Sequence, residues 1–140
     1  MSTHAGEHGC VEVSISDGVA DLRLTNPEKR NAFSLELAAD LFEVTKDHLV
    51  ENDAVRAVAI TADGPVFSAG ADVNLVQGND PAEMDLVHDY RRPVFGWLRD
   101  GPVPTIAGAH GPIIGLGAGF FTAMDMRVVA DDVRLWMPEV

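Results

Sequence analysis

At 140 residues with 46% apolar side chains, the chain has room for one domain with a buried core. Asp and Glu total 22 against 10 Lys and Arg, a net charge of −12, which argues against nonspecific binding to nucleic acid or an anionic membrane, since both need a basic face. A single cysteine, Cys10, rules out an intrachain disulfide, and the first nine residues lack the basic and apolar runs of a signal peptide, so a soluble cytoplasmic domain is the expected class.

Residues 1–9 read as a flexible tail ahead of a domain spanning 10–140. Val11, Val13 and Ile15 alternate with Glu12, Ser14 and Ser16, the period of a half-buried strand. Asp17-Gly18 then predicts a hairpin turn into a second strand over Val19–Thr25. After a loop from Asn26 to Asn31, Ser34 is placed to cap a helix with Glu36 in its first turn. Leu35, Ala38, Leu41, Phe42, Thr45 and Leu49 share one face of that helix, to about Glu51. Val55–Thr61 predicts a short β-branched strand, 62–71 a loop, and about Pro81–Leu98 a long helix kinked at Pro93. Thr105–Ala109 predicts a buried strand, followed by a turn at His110-Gly111-Pro112 and a small-residue helix from about Gly115 to Met124. Short strands follow at 127–130 and 133–136. Strands alternating with helices predict an α/β fold of right-handed crossovers. The alternation is still running at Val140, where no covering helix or polar tail follows.

Fourteen of the 22 acids are Asp, and Lys29 and Lys46 are the only lysines. Short carboxylates in place of long lysine stems suit a protein dissolved at high salt, so a halophilic protein that loses stability in dilute buffer is expected; an ordinary acidic surface is the alternative. From Gly101 to Met124 there are 24 residues without a charged side chain, long enough to span a bilayer. Three prolines, His110 and five glycines from Gly108 onward favour a buried strand–turn–helix instead, so no membrane contact is expected.

Two segments offer backbone N–H groups to a ligand. Phe67-Ser-Ala-Gly-Ala-Asp72 is a small-residue loop entering a helical turn, and Gly115-Leu-Gly-Ala-Gly119 opens a helix whose first amides lack intrahelical partners. Two such amides aimed at one point stabilise an oxyanion, as when a thioester carbonyl becomes an enolate. The same residues also suit tight packing of a helix on a sheet. A dinucleotide fingerprint fails at Phe120, where Gly-x-Gly-x-x-Gly needs its third glycine. Ser68 has no histidine at a local spacing to make it a nucleophile, and His4, His8 and Cys10 are a weak set for a metal, so no metal site is expected.

The blocks Thr25-Asn-Pro-Glu-Lys-Arg-Asn-Ala-Phe-Ser34, Val66-Phe-Ser-Ala-Gly-Ala-Asp-Val73, Pro104-Thr-Ile-Ala-Gly-Ala-His-Gly111, Asp125-Met-Arg-Val-Val-Ala130 and Pro138-Glu-Val140 together resemble the enoyl-CoA hydratase/isomerase (crotonase) family. The resemblance covers residues 11–140, about the N-terminal half of such a domain. It implies a crotonase-like spiral of βαβ units, truncated before the C-terminal helical region that closes the acyl pocket and builds a trimer or hexamer.

The resemblance also implies roles. The Ala71 amide matches one oxyanion donor and Leu116 the other, where the family usually has a glycine; the leucine keeps the N–H but narrows the site. Ala69, Gly70, Asp72 and Gly115 fall in the flanking segments that contact the CoA substrate, and Arg30 in the block bordering its nucleotide. Asp72 by its own spacing reads as the cap of the following turn, Arg30 equally as a solvated loop charge, and His110, where the family has an asparagine, as a turn residue. Of the two glutamates that family hydratases use to hold water, the first falls on Gly119 and the second on Glu139. One glutamate suffices to remove and return a proton, so the resemblance points to an acyl-CoA isomerase-like reaction, with no cofactor beyond the CoA thioester. A hydratase, and a non-catalytic CoA-binding fragment that needs its missing half, are the alternatives.

Overall fold

The computed structural model describes residues 1–138. A six-stranded sheet runs in the order β1 (Ser2–Ala5), β2 (Val11–Ser16), β3 (Val19–Leu24), β4 (Ala57–Ala62), β5 (Thr105–Ala109) and β7 (Met126–Val129). A two-stranded parallel sheet joins β6 (Ile113–Ile114) to β8 (Leu135–Trp136). The first three strands pair antiparallel and β3, β4, β5 and β7 pair parallel. Helix α1 (Leu35–His48) connects β3 to β4, α2 (Val73–Gly78) and α3 (Pro81–Asp100) connect β4 to β5, and α4 (Leu116–Thr122) follows β6. This is the α/β arrangement that the alternation predicts.

Asp17 and Gly18 both adopt positive φ, 52° and 84°, as the tightest hairpin turn between twisted strands requires. The Ser34 side chain accepts from the Leu37 amide and so starts α1. The register places Ala20, Leu22 and Leu24 on the same face as Val58, Ile60 and Ala62, all buried. Phe33, Leu37, Leu41, Phe67, Leu98 and Phe120 complete this core. A smaller cluster of Ala38, Leu75 and Val87 ties α1, α2 and α3 together.

Four details differ from expectation. The first residues are not a free tail: β1 pairs with the edge of β2, and the His4 ring stacks on His48 of α1 with centroids 3.9 Å apart. The chain then turns at Gly6–Gly9 and is anchored by buried Asp40, whose carboxylate accepts from the His8 amide, the His8 ring and the Cys10 amide. α1 ends at His48 and α4 at Thr122, each shorter than predicted. α3 instead runs past Pro93 to Asp100 as one helix. The uncharged stretch 101–124 contains β5, β6 and α4, and no helix among the described residues is long and apolar enough to cross a membrane.

Candidate active site

Three loops meet at the ends of β3, β4 and β5: residues 25–34, 63–72 and 110–116. Phe33 bridges Ala71 in parallel register and Ser68 bridges Ile113, so the middle loop is stitched to both neighbours. The Phe33 amide donates to the Gly70 carbonyl at 2.7 Å and Asp72 donates to the Phe33 carbonyl at 3.1 Å. Ala69 donates to the Arg30 carbonyl at 2.9 Å, and Gly70 to the Ser68 hydroxyl at 3.2 Å. On the other side, Ile113 and Gly115 donate to the Arg134 and Trp136 carbonyls, and Ile114 to the Ser68 carbonyl.

After this accounting, among the described residues the Ala71 and Leu116 amides donate to no acceptor. Their directions follow from the planar trans peptide, in which N–H and C=O point oppositely. The Gly70 carbonyl is held by Phe33, so the Ala71 N–H points away from α1. The Gly115 carbonyl accepts from Ala118 and Gly119 inside α4, so the Leu116 N–H points out of the helix start. The two peptides are neighbours. Gly70 has φ +89°, and a Cβ there would lie 2.7 Å from the Ile114 carbonyl oxygen and 3.4 Å from the Leu116 nitrogen. A side chain at Gly70 would wedge the two loops apart. At Gly117 a Cβ would lie 2.6 Å from that of Ser68, so the missing side chain lets α4 settle onto the loop.

The other sequence candidates divide by the same bookkeeping. Ala69, Gly70 and Gly115 spend their amides on the scaffold, so their part is to shape the site rather than to donate. The Asp72 carboxylate accepts from the Asn74 and Leu75 amides and caps α2, which occupies it structurally. Arg30 has an exposed side chain and a left-handed backbone, φ 52°, and its carbonyl braces the loop through Ala69. His110 is a turn residue whose ring nitrogen Nε2 meets the Gly64 carbonyl. Gly119 is half-buried and faces open space: a Cβ there meets nothing within 4 Å. Glu139 lies outside the described residues. His4, His8 and Cys10 do not converge as ligands, and among the described residues no three His, Cys, Asp or Glu side chains form a metal-holding group.

Sequence reasoning missed Asn31. It is buried with φ 50°, and its side chain accepts from the Asn26 amide while donating to the Asp63 and Val66 carbonyls at 3.0 and 3.1 Å. An asparagine flanked by a charged loop and an apolar helix start was a signal for left-handed backbone, but its partners lie 32 and 35 residues away. Asp125 was also missed: its carboxylate accepts from the Thr105 amide and hydroxyl and fixes the start of β5.

Residues 14–140 match the family model described as enoyl-CoA hydratase/isomerase. The chain is 35% identical over 135 residues to 4-chlorobenzoyl coenzyme A dehalogenase-2 of an Arthrobacter species, covering 94% of this chain and 48% of that protein. Its fold is similar to that of human enoyl coenzyme A hydratase domain-containing protein 3, with TM-score 0.85 and 27% identity over 93% of this chain and 51% of that one. It is likewise similar to a Thermobifida fusca protein solved with acetoacetyl-CoA, with TM-score 0.80 and 29% identity over 94% of this chain and 55% of that one. The chain thus spans about half the length of the relatives it matches.

Proposed function

The chain belongs to the enoyl-CoA hydratase/isomerase family, and on that premise we propose that it supplies the oxyanion half of an acyl-CoA enzyme. The observation that carries this reading is the pair of unspent amides, Ala71 and Leu116, on adjacent peptides whose carbonyls are pinned from behind. A thioester carbonyl seated between them accepts two hydrogen bonds that strengthen as it becomes an enolate. Removing one oxyanion-hole donor costs roughly 3 kcal/mol where this has been measured in other enzymes.

Proton transfer falls to Glu139, by the resemblance of its block. The bare Gly119 leaves no second carboxylate, which favours moving a double bond over adding water. No cofactor is required beyond the CoA thioester, and Arg30, exposed in the block that by the resemblance borders the CoA nucleotide, is the cation assigned to meet a CoA phosphate. The whole protein would assemble as a trimer or a dimer of trimers.

The test is calorimetric titration with a medium-chain 3-enoyl-CoA, followed by separate assays of isomerisation and hydration. Saturable binding with isomerisation that Glu139→Gln abolishes supports the reading. Because a Cβ at Gly119 meets open space, Gly119→Glu folds normally and introduces measurable hydration; hydration already equal to isomerisation in the unaltered protein overturns the single-glutamate assignment.

A second reading rests on the apolar side chains of β7 and β8. Met126, Val128, Val129, Leu135, Trp136 and Met137 are all exposed. In this reading the 140 residues bind CoA but turn over substrate only when a polypeptide equivalent to the relatives' other half covers that strip. Turnover by the 140-residue chain alone, at a rate independent of added partner, excludes it.

A further inference from the structure

The amide of Ala71 is not aimed by its own residue, and the bonds around it point to two side chains that do the aiming. We propose that Ser68 and Asn31 are positioning residues for the Ala71 donor, an inference that rests on the oxyanion reading above. Ser68 is fully buried, with its hydroxyl donating to the Asn31 carbonyl at 2.9 Å and accepting from the Gly70 amide at 3.2 Å. Its carbonyl accepts from Ile114, and its Cβ occupies the space that Gly117 leaves. One serine therefore touches the loop before α1, the loop it belongs to, and the start of α4.

The Ser68–Gly70 bond closes a side-chain turn over Ser68 and Ala69, and the chain leaves it through Gly70 at φ +89°. The next N–H in the chain is that of Ala71. Asn31 fixes the other end of the relay: its side chain is spent on three backbone partners, so the carbonyl that receives the Ser68 hydroxyl is immobile. The hydroxyl then has one acceptor for its proton, and its lone pair is left facing Gly70. Neither side chain touches a reacting atom. Their effect is on the direction of a donor, and small errors in that direction weaken it steeply.

The test uses the full 140-residue chain, labelled with 15N. In Ser68→Ala the Gly70 amide exchanges about tenfold faster, the factor that one ordinary hydrogen bond supports, and the order parameters of Gly70 and Ala71 fall while that of Leu116 stays put. Unchanged exchange and order at Gly70 and Ala71 overturn the proposal, as does an equal loss at Leu116, which would mark a general loosening. The second readout is the absorption band of bound 4-dimethylaminocinnamoyl-CoA, which moves to the red as its thioester carbonyl is polarised. Ser68→Ala at saturation keeps roughly half of the wild-type shift, because one donor of two is misdirected. A full shift in the variant overturns the proposal. Absence of any shift in the unaltered protein counts against the oxyanion reading, and the amide exchange still decides what Ser68 does. If Ser68→Ala does not fold, Ser68→Cys keeps a weak donor and acceptor in nearly the same volume and must give faster Gly70 exchange and a smaller red shift than the wild type; wild-type values overturn the proposal.

Discussion

The corner where the three loops meet and the outer strip formed by β7 and β8 lie on adjoining parts of one molecule and are built on opposite terms. At the corner many of the flanking peptide groups are committed, the side chains of Asn31 and Ser68 are buried and satisfied, and the Ala71 and Leu116 N–H groups are among those left without an acceptor. Along β7 and β8 the backbone is paired on one side, while five apolar side chains, and Met137 just beyond them, stand exposed. Polar groups left without partners in a rigid frame are a means of binding an anion; apolar groups left uncovered on a sheet edge are a means of binding protein. The first region is tied together by its own bonds, and the second leaves apolar side chains exposed among the described residues.

The substitution expected to do most damage to this contrast is Leu116→Pro. Proline is tolerated at the first position of a helix, where no backbone bond is lost, so α4 survives while one of the two proposed oxyanion donors disappears. Turnover of an enoyl-CoA by the whole protein should fall by about two orders of magnitude with an unchanged circular dichroism spectrum. Gly70→Ala attacks the frame rather than the donor. With φ +89° and the Ile114 oxygen 2.7 Å from the new Cβ, it should cost about 3 kcal/mol in urea unfolding. Both results would separate the donor from its scaffold.

The strip is tested by the paired change Val128→Ser and Trp136→Ser, both exposed positions. Sedimentation velocity should show less self-association, with stability altered by no more than about 0.5 kcal/mol. A loss of several times that would mean the side chains already belong to the core.

The smallest effect concerns two histidines packed beside the N-terminal segment, His8 in its turn and His48 at the end of α1. Hydrogen bonding to Asp40, aided by Glu7 and Glu36, raises the His8 pKa against the opposing cost of burial. That contribution is full below the ordinary histidine range and fades as pH rises through the raised value. Burial, and then the charge of the stacked His4, lower the His48 pKa while Asp47 opposes, so its contribution is full above the ordinary range and is lost on acidification. Urea midpoints between pH 5 and 8 should therefore flatten on the alkaline side in His8→Gln and on the acid side in His48→Gln. Because the His8 side chain is 40% exposed, solvent screening keeps its share small.

Much of the frame was legible because its signals are local. Asp17-Gly18 carries its own turn chemistry, Ser34 lies three residues from the amide it caps, and Thr105–Ala109 is bounded by proline and glycine. The family resemblance singled out Ala71 and Leu116, and the structure shows that neither amide has an acceptor among the described residues. Unreadable were features whose partners are remote. β1 exists because β2 has an open edge and His48 offers a ring to His4; nothing in Met1–Gly9 announces either. Ser68 was read as an unsupported nucleophile, since its use depends on a carbonyl 37 residues earlier. The spent amides of Ala69, Gly70 and Gly115 could be told from the free amide of Ala71 only once the loops were seen to pair.

The ladder between β6 and β8 has a further bearing. Ile113 and Gly115 hang from the Arg134 and Trp136 carbonyls, and the very next amide is that of Leu116. Whatever settles onto the outside of Trp136 therefore presses, two peptide groups inward, on a donor of the binding corner. If the Leu116 amide holds an oxyanion as proposed, any contact over β8 that changes its affinity for that oxyanion is itself changed by the bound oxyanion by the same factor.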